Sequence, residues 1–444
     1  MKLKINPSLK GALDARIFVK GAKNALLPLL FALPMIKGKS HFSNVPLQLE
    51  DYLGSRLILS TLGLKFEEAI NAVSIQNQGL SAGIHLPSAL TGATRCSLYL
   101  LGSLAKQQGS VTIGLPGGCS FGVARQFNLH LEGLRALNAK VSVKGDEITL
   151  EHKTDCNAHH KLPFPSVGAT TNLILYAALG NATVTLSNCA VEPEIINLID
   201  FLNQCGANIN VDVVKRVIHI QGVSGLVGSQ VRLIPDRIQT MTYVALAMMH
   251  RKKLYLEGVS TLDSLNLPLN LLVDAGLNYD YCSAQQLLTV HGDQLNGFSG
   301  VEAICQPYPG FPTDLQPIFS ALGLCAETRT VIQDQVIPER TAYLDELKKM
   351  GANVQYDGQE IIINPQDKIL QGSMMKSTDL RAGMACVMAA SIAKGSSVIT
   401  NAGQVYRGYN DLLENLSWFM DVERYELKHM KPDTETLVDK IQVA

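Results

Sequence analysis

The sequence predicts an α/β protein of two domains, each built from three copies of one helix-and-strand unit. Three patterns support this prediction: a short turn that recurs along the chain, an alternating strand after each turn, and an almost wholly apolar helix in each copy. With 444 residues, the chain is long enough for two or three separate cores. A single large, irregular α/β domain is the alternative.

The recurring turn places Gly or Asn where a helix ends, because these residues readily adopt the left-handed backbone conformation found there. A strand with alternating apolar residues follows, as at 140–143. The turns are Leu62-Gly63-Leu64-Lys65, Leu137-Asn138-Ala139-Lys140, Cys205-Gly206-Ala207-Asn208, Ala275-Gly276-Leu277-Asn278 and Met350-Gly351-Ala352-Asn353, with a degenerate sixth copy near 419–422.

Each unit also contains a helix that is apolar on all sides, which predicts that the helix is buried. The six helices are expected at 25–33, 96–105, 172–179, 242–249, 315–325 and 382–393. Three such helices fall on either side of 227–235, so we expect the chain to cross between the two domains there.

Composition argues against several classes of function. The formal net charge is −1, so nothing global favours nucleic acid or an anionic membrane as a partner. The nine cysteines form no C-x-x-C pair or zinc-ligand spacing, which indicates a reducing compartment and mostly buried thiols. The apolar stretch 26–36 is too short to span a membrane, and no signal peptide is visible. We expect a cytoplasmic protein that binds no metal ion.

Two glycine-containing segments are candidates for chemistry. The segment Gly21-Ala22-Lys23-Asn24-Ala25 precedes a buried helix, and a Lys at a helix N-terminus suits an anion such as phosphate. A solvated Lys in a turn is the alternative. The loop Pro116-Gly117-Gly118-Cys119 makes Cys119 the thiol most accessible for chemistry, with Arg125 near enough to lower its pKa.

Arginines recur at the boundaries between units and could converge on one anion site, because a guanidinium binds carboxylate and phosphate oxygens in pairs. For any one of them, a surface salt bridge is the alternative. The rigid loop Tyr308-Pro309-Gly310-Phe311-Pro312-Thr313-Asp314 offers Asp314 as a general base, or Thr313 or Asp314 as a helix N-cap. The arginines are Arg95, Arg125, Arg340, Arg381 and Arg407.

Taken together, these segments resemble the branch of the enolpyruvyl transferase family that acts on UDP-N-acetylglucosamine. The resemblance covers nearly the whole chain and implies an inside-out α/β barrel of six units, with helices inside and mixed sheets outside. It implies a first domain of residues 22–232 and a second of residues 1–21 and 233–444. The motifs are GAKNA at 21–25, NVP at 44–46, PGGC at 116–119, FPSVGAT at 164–170, EPEI at 192–195, PDRI at 235–238, YPGFPTD at 308–314, TDLRA at 378–382 and RGY at 407–409.

The resemblance implies transfer of the enolpyruvyl group of phosphoenolpyruvate to the 3-hydroxyl of UDP-N-acetylglucosamine, with release of phosphate, at the entry to peptidoglycan synthesis. Cys119 corresponds to a lid-loop cysteine that protonates the methylene carbon, and Asp314 corresponds to the candidate base. Such an addition–elimination needs an acid, a base and fixed cations. No cofactor and no obligate protein partner are implied.

The remaining correspondences concern binding. Lys23, Arg125 and Arg407 match residues around the phosphoenolpyruvate phosphate and carboxylate, and Arg340 and Arg381 match the same anion site. Two further active-site carboxylates are Asp51 and Asp379. Contacts to the sugar nucleotide are implied for Asn24, Arg95, Arg125, Gln126, Phe127, Asn128, Leu129, Phe164, Pro165, Ser166, Val167 and Val336, with Asp314 beside the sugar hydroxyl.

The chain departs from the family pattern mainly in the lid. The segment between Cys119 and Arg125 is one residue longer than usual, Gln126 replaces a Pro that would stiffen the loop, and Asn128 replaces an Asp. Outside the lid, Gln239, Met241, Glu339 and Tyr406 replace a usual Glu, Gly, Asn and Asp, respectively.

Three functions therefore stay open. They are the cell-wall enzyme itself, a divergent enolpyruvyl transferase for another nucleotide sugar, and a weakly active paralogue that binds the sugar nucleotide and regulates or scaffolds. The retained Cys119, Asp314 and arginines favour the first two. The PGGC loop and the motif at 164–170 argue against the shikimate-pathway enzyme, which shares the family fold.

Overall fold

Six small sheets share one strand order in the computed structural model, which describes residues 1–7, 14–80, 83–117 and 127–425. In each sheet an edge pair is parallel and the two remaining strands add antiparallel. The first sheet consists of β3 (Ile36–Ser43), β4 (Lys65–Ala69), β5 (Ala72–Asn77), β14 (Leu226–Val227) and β15 (Gln230–Arg232). The second consists of β6 (His85–Leu86), β7 (Ser110–Gly114), β8 (Lys140–Lys144) and β9 (Glu147–Glu151). The third consists of β10 (Ala158–Lys161), β11 (Thr183–Ser187), β12 (Asn208–Asp212) and β13 (Val217–Gln221).

The N-terminal strands complete two of the other three sheets. There, β1 (Lys2–Pro7) lies between the last two strands of the sixth unit, and β2 (Ala15–Phe18) supplies the parallel edge of the fourth. The sheet of β1 also contains β23 (Met374–Lys376), β24 (Ser397–Thr400) and β25 (Met420–Tyr425). The sheet of β2 also contains β16 (Lys253–Glu257), β17 (Tyr279–Cys282) and β18 (Leu287–His291). The fifth sheet consists of β19 (Glu302–Cys305), β20 (Thr330–Asp334), β21 (Val354–Tyr356) and β22 (Glu360–Ile363).

Six buried helices lie inside these sheets, as the apolar segments predict. They are α1 (Lys23–Ala32), α4 (Tyr99–Gln108), α6 (Val167–Ala177), α8 (Arg237–Met249), α10 (Gln316–Gly323) and α12 (Leu380–Ser391). The other helices are α2 (Glu50–Thr61), α3 (Ser88–Thr91), α5 (Asn128–Ala136), α7 (Pro193–Gln204), α9 (Asn266–Asp274), α11 (Ala342–Lys348), α13 (Gly403–Tyr406) and α14 (Leu412–Leu416).

The predicted helix-ending turns are confirmed by the backbone. Asn138 has φ 66°, and Gly63, Gly206, Gly276 and Gly351 have φ between 88° and 114°. In each case the left-handed residue ends an outer helix and starts the chain toward the next strand. The six units are therefore confirmed by the six sheets, and five of them also by a left-handed turn; the degenerate sixth turn near 419–422 has no left-handed residue.

The buried apolar residues form two separate clusters, whereas a single irregular domain would have one continuous core. The first core lies within residues 26–233, and the second core combines residues 3–19 with residues 238–420. The domain boundaries at 21/22 and 232/233 stay a prediction. Strand pairing ends at the edges of each described sheet, so the barrel consists of packed sheets and not of one hydrogen-bonded cylinder.

The two segments that join the cores, residues 20–22 and 234–236, run side by side. Ala22 N donates to Ile234 O over 2.8 Å, and Asp236 N donates to Lys20 O over 2.9 Å. Gly21 is required here, because a Cβ would lie 2.3 Å from the carbonyl oxygen of Asn44. This double crossing places the first turns of α1 and α8 next to each other, at the opening between the cores.

One expectation about the cysteines is wrong. All eight described cysteines are free, and most are buried or half-buried, but Cys282 is exposed. It ends β17, an edge strand in which alternate residues face outward, so a strand context did not imply burial.

Candidate active site

A cleft of about 480 Å³ opens between the two cores, and both cores contribute to its walls. It collects segments that lie far apart in the chain: the start of α1, α2, the turn before α4, the start of α6, the loop before α10 and the residue after α13. The sequence-predicted site residues that line it are Lys23, Asn24, Asp51, Arg95, Leu129, Phe164, Pro165, Ser166, Val167, Asp314, Val336, Arg340 and Arg407.

The remaining predicted residues do not line this cleft or are not described. Phe127, Asn128, Asp379 and Arg381 lie behind or beside the lining residues. Cys119, Arg125 and Gln126 fall outside the described residues, so the expected acid, one expected anion contact and the altered lid keep their status as predictions.

Asp51 holds two cations at one end of the cleft. Its Oδ2 lies 3.1 Å from Lys23 Nζ, and its Oδ1 lies 2.7 Å from Arg407 Nε. Burial alone would raise the pKa of the Asp51 carboxyl, but the charges of Lys23 and Arg407 outweigh burial and hold the pKa below its usual value. Because Arg407 belongs to the second core and Asp51 to the first, this ion pair spans the cleft.

Lys23 is only 8% exposed, so a solvated turn residue is the wrong interpretation. Its backbone N–H faces Asp236 Oδ2 at 3.4 Å, and the same Asp236 carboxylate caps α8 by accepting from Ile238 N and Gln239 N. The N-terminus of α1 therefore faces a carboxylate of the protein, and the side chain of Lys23 is the part that points into the cleft.

Asp314 lies between two arginines of the second half of the chain. Its Oδ1 is 3.2 Å from Arg340 Nη1, and its Oδ2 is 3.2 Å from Arg381 Nη2. The 3₁₀ turn Thr313–Leu315 has no side-chain cap, and Thr313 Oγ1 instead donates to Asp334 Oδ2 over 2.6 Å. The capping alternative for Thr313 and Asp314 is therefore wrong.

The electrostatics of Asp314 resemble those of Asp51. Burial would raise the pKa of its carboxyl, but Arg381 and Arg340 together hold that pKa well below the usual range. Behind this group, Asp379 caps α12 by accepting from Arg381 N over 2.8 Å and from Ala382 N over 3.1 Å. Asp379 thus orients the helix turn that carries Arg381.

The start of α6 forms the wall where the sugar-nucleotide contacts were expected. Ser166 caps this helix by accepting from Ala169 N over 3.3 Å, which turns residues 164–167 along the cleft. Next to this wall, the Arg95 guanidinium lies over the Phe127 ring at 4.9 Å from its centroid. Asn128 begins α5 and is exposed.

Comparison with known proteins shows the family. Residues 8–416 match the family model described as EPSP synthase (3-phosphoshikimate 1-carboxyvinyltransferase). The chain is 35% identical to UDP-N-acetylglucosamine 1-carboxyvinyltransferase of Halothermothrix orenii, over 91% of this chain and 95% of the relative. It is 34% identical to the protein of that name from Escherichia coli O1:K1, over 91% and 94%.

Similar solved structures agree in fold. The enolpyruvyl transferase NikO from Streptomyces tendae superposes with a TM-score of 0.83 at 22% identity, covering 95% of this chain and 98% of that one. EPSP synthase from Acinetobacter baumannii superposes with a TM-score of 0.71 at 17% identity, covering 95% and 100%. The chain belongs to the enolpyruvyl transferase family.

In this enolpyruvyl transferase, the substitutions outside the lid do not line the cleft. Glu339 is exposed, and Met241 is fully buried in the second core. Gln239 is buried and donates from Nε2 to Asp236 Oδ2 over 3.2 Å. Tyr406 packs against the second core, and its ring lies 5.1 Å from the Arg424 guanidinium. Gln239 therefore contacts the cleft indirectly, through Asp236, which also faces Lys23 N.

Several residues of the cleft were not predicted as site residues from the sequence, among them Glu192, Arg237 and Tyr308. Glu192 is 8% exposed, and burial raises the pKa of its carboxyl, although Arg237 opposes the rise. Arg237 pairs with Glu194, Nε to Oε1 at 3.0 Å, and lies over the ring of Tyr308 at 5.8 Å. The signal was present, since the EPEI, PDRI and YPGFPTD motifs contain Glu192, Arg237 and Tyr308, but no role was drawn from these residues.

The described parts of the chain contain no group of three His, Cys, Asp or Glu side chains that could hold a metal ion. None of their helices is both long and apolar enough to cross a membrane.

Proposed function

We propose that this protein transfers the enolpyruvyl group of phosphoenolpyruvate to the 3-hydroxyl of UDP-N-acetylglucosamine and releases phosphate. The observation that carries the proposal is the pairing of Asp314 with Arg340 and Arg381 in the same cleft as Lys23 and Arg407. A substrate with a phosphate and a carboxylate on one carbon needs several converging cations, and this cleft supplies them.

The addition step assigns Asp314 as the base. The oxygen of the 3-hydroxyl bonds to C2 of phosphoenolpyruvate, the hydroxyl proton passes to Asp314, and C3 receives a proton from Cys119. Elimination then breaks the bond from C2 to the phosphate oxygen and returns a proton from C3 to the Cys119 thiolate, while the proton on Asp314 leaves with the phosphate. One enolpyruvyl ether and one phosphate result, so no redox partner is required.

The lowered pKa of Asp314 affects its ability to accept the hydroxyl proton in the addition step. A carboxylate held by two arginines is ionised at neutral pH but is a weak base, because both cations stabilise its charge. Phosphoenolpyruvate brings anionic oxygens that compete for Arg340 and Arg381. As these contacts move to the substrate, the pKa of Asp314 rises and its carboxylate becomes free to accept the hydroxyl proton.

The acceptor is assigned from the wall at 164–167 together with Asn24, Arg95 and Val336. Relatives over nine-tenths of the chain bear the name UDP-N-acetylglucosamine 1-carboxyvinyltransferase, which supports this acceptor. With this acceptor, the proposed reaction takes place in the cytoplasm and commits the sugar nucleotide to peptidoglycan synthesis. The reaction would thereby serve cell-wall growth and division. No cofactor enters the reaction.

The direct test is phosphate release from phosphoenolpyruvate with and without UDP-N-acetylglucosamine. We expect release that depends on the sugar nucleotide, and a loss of at least a hundredfold in Cys119→Ser, because a hydroxyl is a far weaker acid than a thiol. Cys282→Ser, at an exposed thiol remote from the cleft, is the matched control. Bound sugar nucleotide without phosphate release would shift the assignment to another acceptor or to a binding role.

Covalent labelling gives a second readout of the same loop. Fosfomycin, an electrophilic mimic of phosphoenolpyruvate, should alkylate Cys119 in the presence of UDP-N-acetylglucosamine, as measured by peptide mass spectrometry. Exclusive labelling of Cys282, the exposed thiol of β17, would argue against an activated thiolate at Cys119.

A further inference from the structure

The segment 407–411, between α13 and α14, meets the first half of the chain beside the ion pair of Asp51 and Arg407. There, the backbone N–H of Gln48 donates to Asn410 Oδ1 over 3.1 Å. Gln48 lies three positions before Asp51, and Asn410 lies three positions after Arg407. The same two short segments are therefore joined by an ion pair and also by an uncharged hydrogen bond.

The side chain of Asn410 is held in one orientation. It is 2% exposed, its Oδ1 accepts from Gln48, and its Nδ2 donates to Asp411 Oδ2 over 2.6 Å. In addition, Asn410 O accepts from Asn415 Nδ2 over 3.3 Å. Turning the amide over would break both side-chain hydrogen bonds in a buried place, which is costly. Asn410 therefore fixes the backbone that follows Arg407 against Gln48.

Asp411 extends this network to the double crossing of the chain. Its Oδ2 lies 2.7 Å from Lys20 Nζ, and Lys20 O accepts from Asp236 N. An Asp at the cap position of a helix ordinarily accepts from the first N–H groups of that helix. Asp411 stands at the cap position of α14 with a left-handed backbone, φ 50°, and its carboxylate faces Lys20 and Asn410 instead.

Arg407 needs this support because an anionic substrate would compete with Asp51 for its guanidinium. Arg407 Nε lies 2.7 Å from Asp51 Oδ1, and Arg407 Nη1 donates to Gln404 Oε1 over 3.1 Å. The hydrogen bond from Gln48 to Asn410 involves no charged group. Among the described residues, neither of these two lines the cleft, so a substrate does not compete for their hydrogen bond.

We propose that Asn410 is a positioning residue for phosphoenolpyruvate, which holds Arg407 at the cleft when its ion pair with Asp51 opens. Asn410 ties the segment to the first half through Gln48, and to the crossing through Asp411 and Lys20. The guanidinium can then turn from Asp51 to the substrate while its backbone stays in place. This inference rests on the proposed function, because it requires that Arg407 binds phosphoenolpyruvate.

Steady-state phosphate release tests this role by separating binding from chemistry. Asn410→Ala should raise KM for phosphoenolpyruvate about tenfold, which is the effect of one buried hydrogen bond. It should lower kcat less than about threefold, because Asp314 and Cys119 are unchanged. KM for UDP-N-acetylglucosamine should stay the same, since none of its expected contacts lies in the segment 407–411. A fall in kcat with unchanged KM for phosphoenolpyruvate would overturn the inference.

Asn203→Ala is the matched control. Asn203 donates from Nδ2 to Ile209 O over 2.8 Å and accepts from Ile209 N over 2.9 Å, so this variant also removes an amide that bridges two segments. That bridge joins α7 to β12, away from the cleft. Both variants should lower the midpoint of thermal unfolding, but only Asn410→Ala should raise KM for phosphoenolpyruvate. An equal rise in both variants would make the role of Asn410 purely structural.

Asp411→Asn is the second variant, and it decides the question if Asn410→Ala does not fold. Asn tolerates the left-handed backbone, so the turn is kept while the ion pair with Lys20 loses its charge. We expect KM for phosphoenolpyruvate to rise about threefold, because an exposed or half-exposed ion pair contributes less than a buried hydrogen bond. An unchanged KM would refute the support from the crossing.

Calorimetry shows whether Asn410 acts through Arg407. In Cys119→Ser protein with UDP-N-acetylglucosamine present, Asn410→Ala should weaken phosphoenolpyruvate binding about tenfold. Added to Arg407→Met, the same change should have no further effect, because the side chain that it positions is already missing. A tenfold loss in both backgrounds would overturn the inference.

The calorimetric result also separates this inference from the proposed function, because it needs no turnover. Phosphoenolpyruvate binding without phosphate release in the unsubstituted protein would refute the proposed reaction and leave the comparison at Asn410 decisive. Phosphate release with an unaffected Asn410→Ala protein would refute the positioning role alone. Failure of the unsubstituted protein to bind phosphoenolpyruvate would refute both.

Discussion

Asp51 and Asp314 are both carboxylates held between two cations, but their partners come from different parts of the molecule. Asp51 joins Lys23, on its own side, to Arg407 of the second core, 356 positions away in sequence. Asp314 and its partners Arg340 and Arg381 all belong to the second half of the chain. One carboxylate thus connects the halves, and the other lies within a half.

The two carboxylates also differ in how much of each side chain is exposed to solvent. The side chain of Asp51 is 3% exposed and that of Asp314 is 24% exposed. A substrate hydroxyl can reach Asp314 without separating the halves, whereas it cannot reach Asp51 without breaking an ion pair between them. The difference assigns chemistry to Asp314 and the relative placement of Lys23 and Arg407 to Asp51.

The largest expected effect is on turnover at Asp314. Asp314→Asn should lower the rate of phosphate release by about 10²–10⁴-fold, because the amide cannot accept the hydroxyl proton. UDP-N-acetylglucosamine binding, followed by calorimetry, should persist. Asp345→Asn, an exposed position on α11, serves as the control and should keep the wild-type rate. A nearly active Asp314→Asn protein would remove the base from the proposed mechanism.

The next effect is on stability at Asp51. Asp51→Asn removes the buried carboxylate that Lys23 and Arg407 share, which should lower the free energy of unfolding by about 3 kcal/mol in urea titrations. Glu67→Gln breaks the exposed pair with Lys39 and should cause no measurable change. If Asp51→Asn were as stable as Glu67→Gln, the ion pair across the cleft would not hold the halves together.

The loss of stability in acid should occur in two pH ranges, one due to His250 and a lower one due to the cleft carboxylates Asp51 and Asp314. Burial lowers the pKa of His250, whose Nε2 faces Ser391 Oγ at 2.8 Å, to about 4. Its contribution to stability is therefore full above the unfolded pKa of about 6.5 and is lost as pH falls toward 4. The carboxyls of Asp51 and Asp314 also have lowered pKa values, so their contribution persists to about pH 4 and is lost only below it.

Urea unfolding from pH 7 to pH 3 measures both phases. His250→Gln should flatten the phase between pH 6.5 and 4, and Asp51→Asn should flatten the phase below about pH 4. The reverse assignment, with Asp51→Asn acting on the upper phase, would contradict the direction of the Asp51 pKa shift.

Local patterns predicted most of the fold. The left-handed turns at Gly63, Asn138 and Gly351 and the buried helices follow from backbone preference and periodicity within about ten residues of chain. The exposure of Cys282 was mispredicted, because burial of an edge strand depends on what packs outside it. The capping alternative at Asp314 failed for a related reason, since its arginine partners lie 26 and 67 positions away.

By itself, the sequence determined the α/β class, the six units and the segments that would carry chemistry, because turn chemistry, periodicity and motifs are properties of neighbouring residues. Only the tertiary structure decided which charges meet. The double crossing beside Gly21 brings α1 and α8 together, and the packing of the two halves sets Asp51 against Arg407. Such pairings depend on the geometry of two packed cores, which no local pattern encodes.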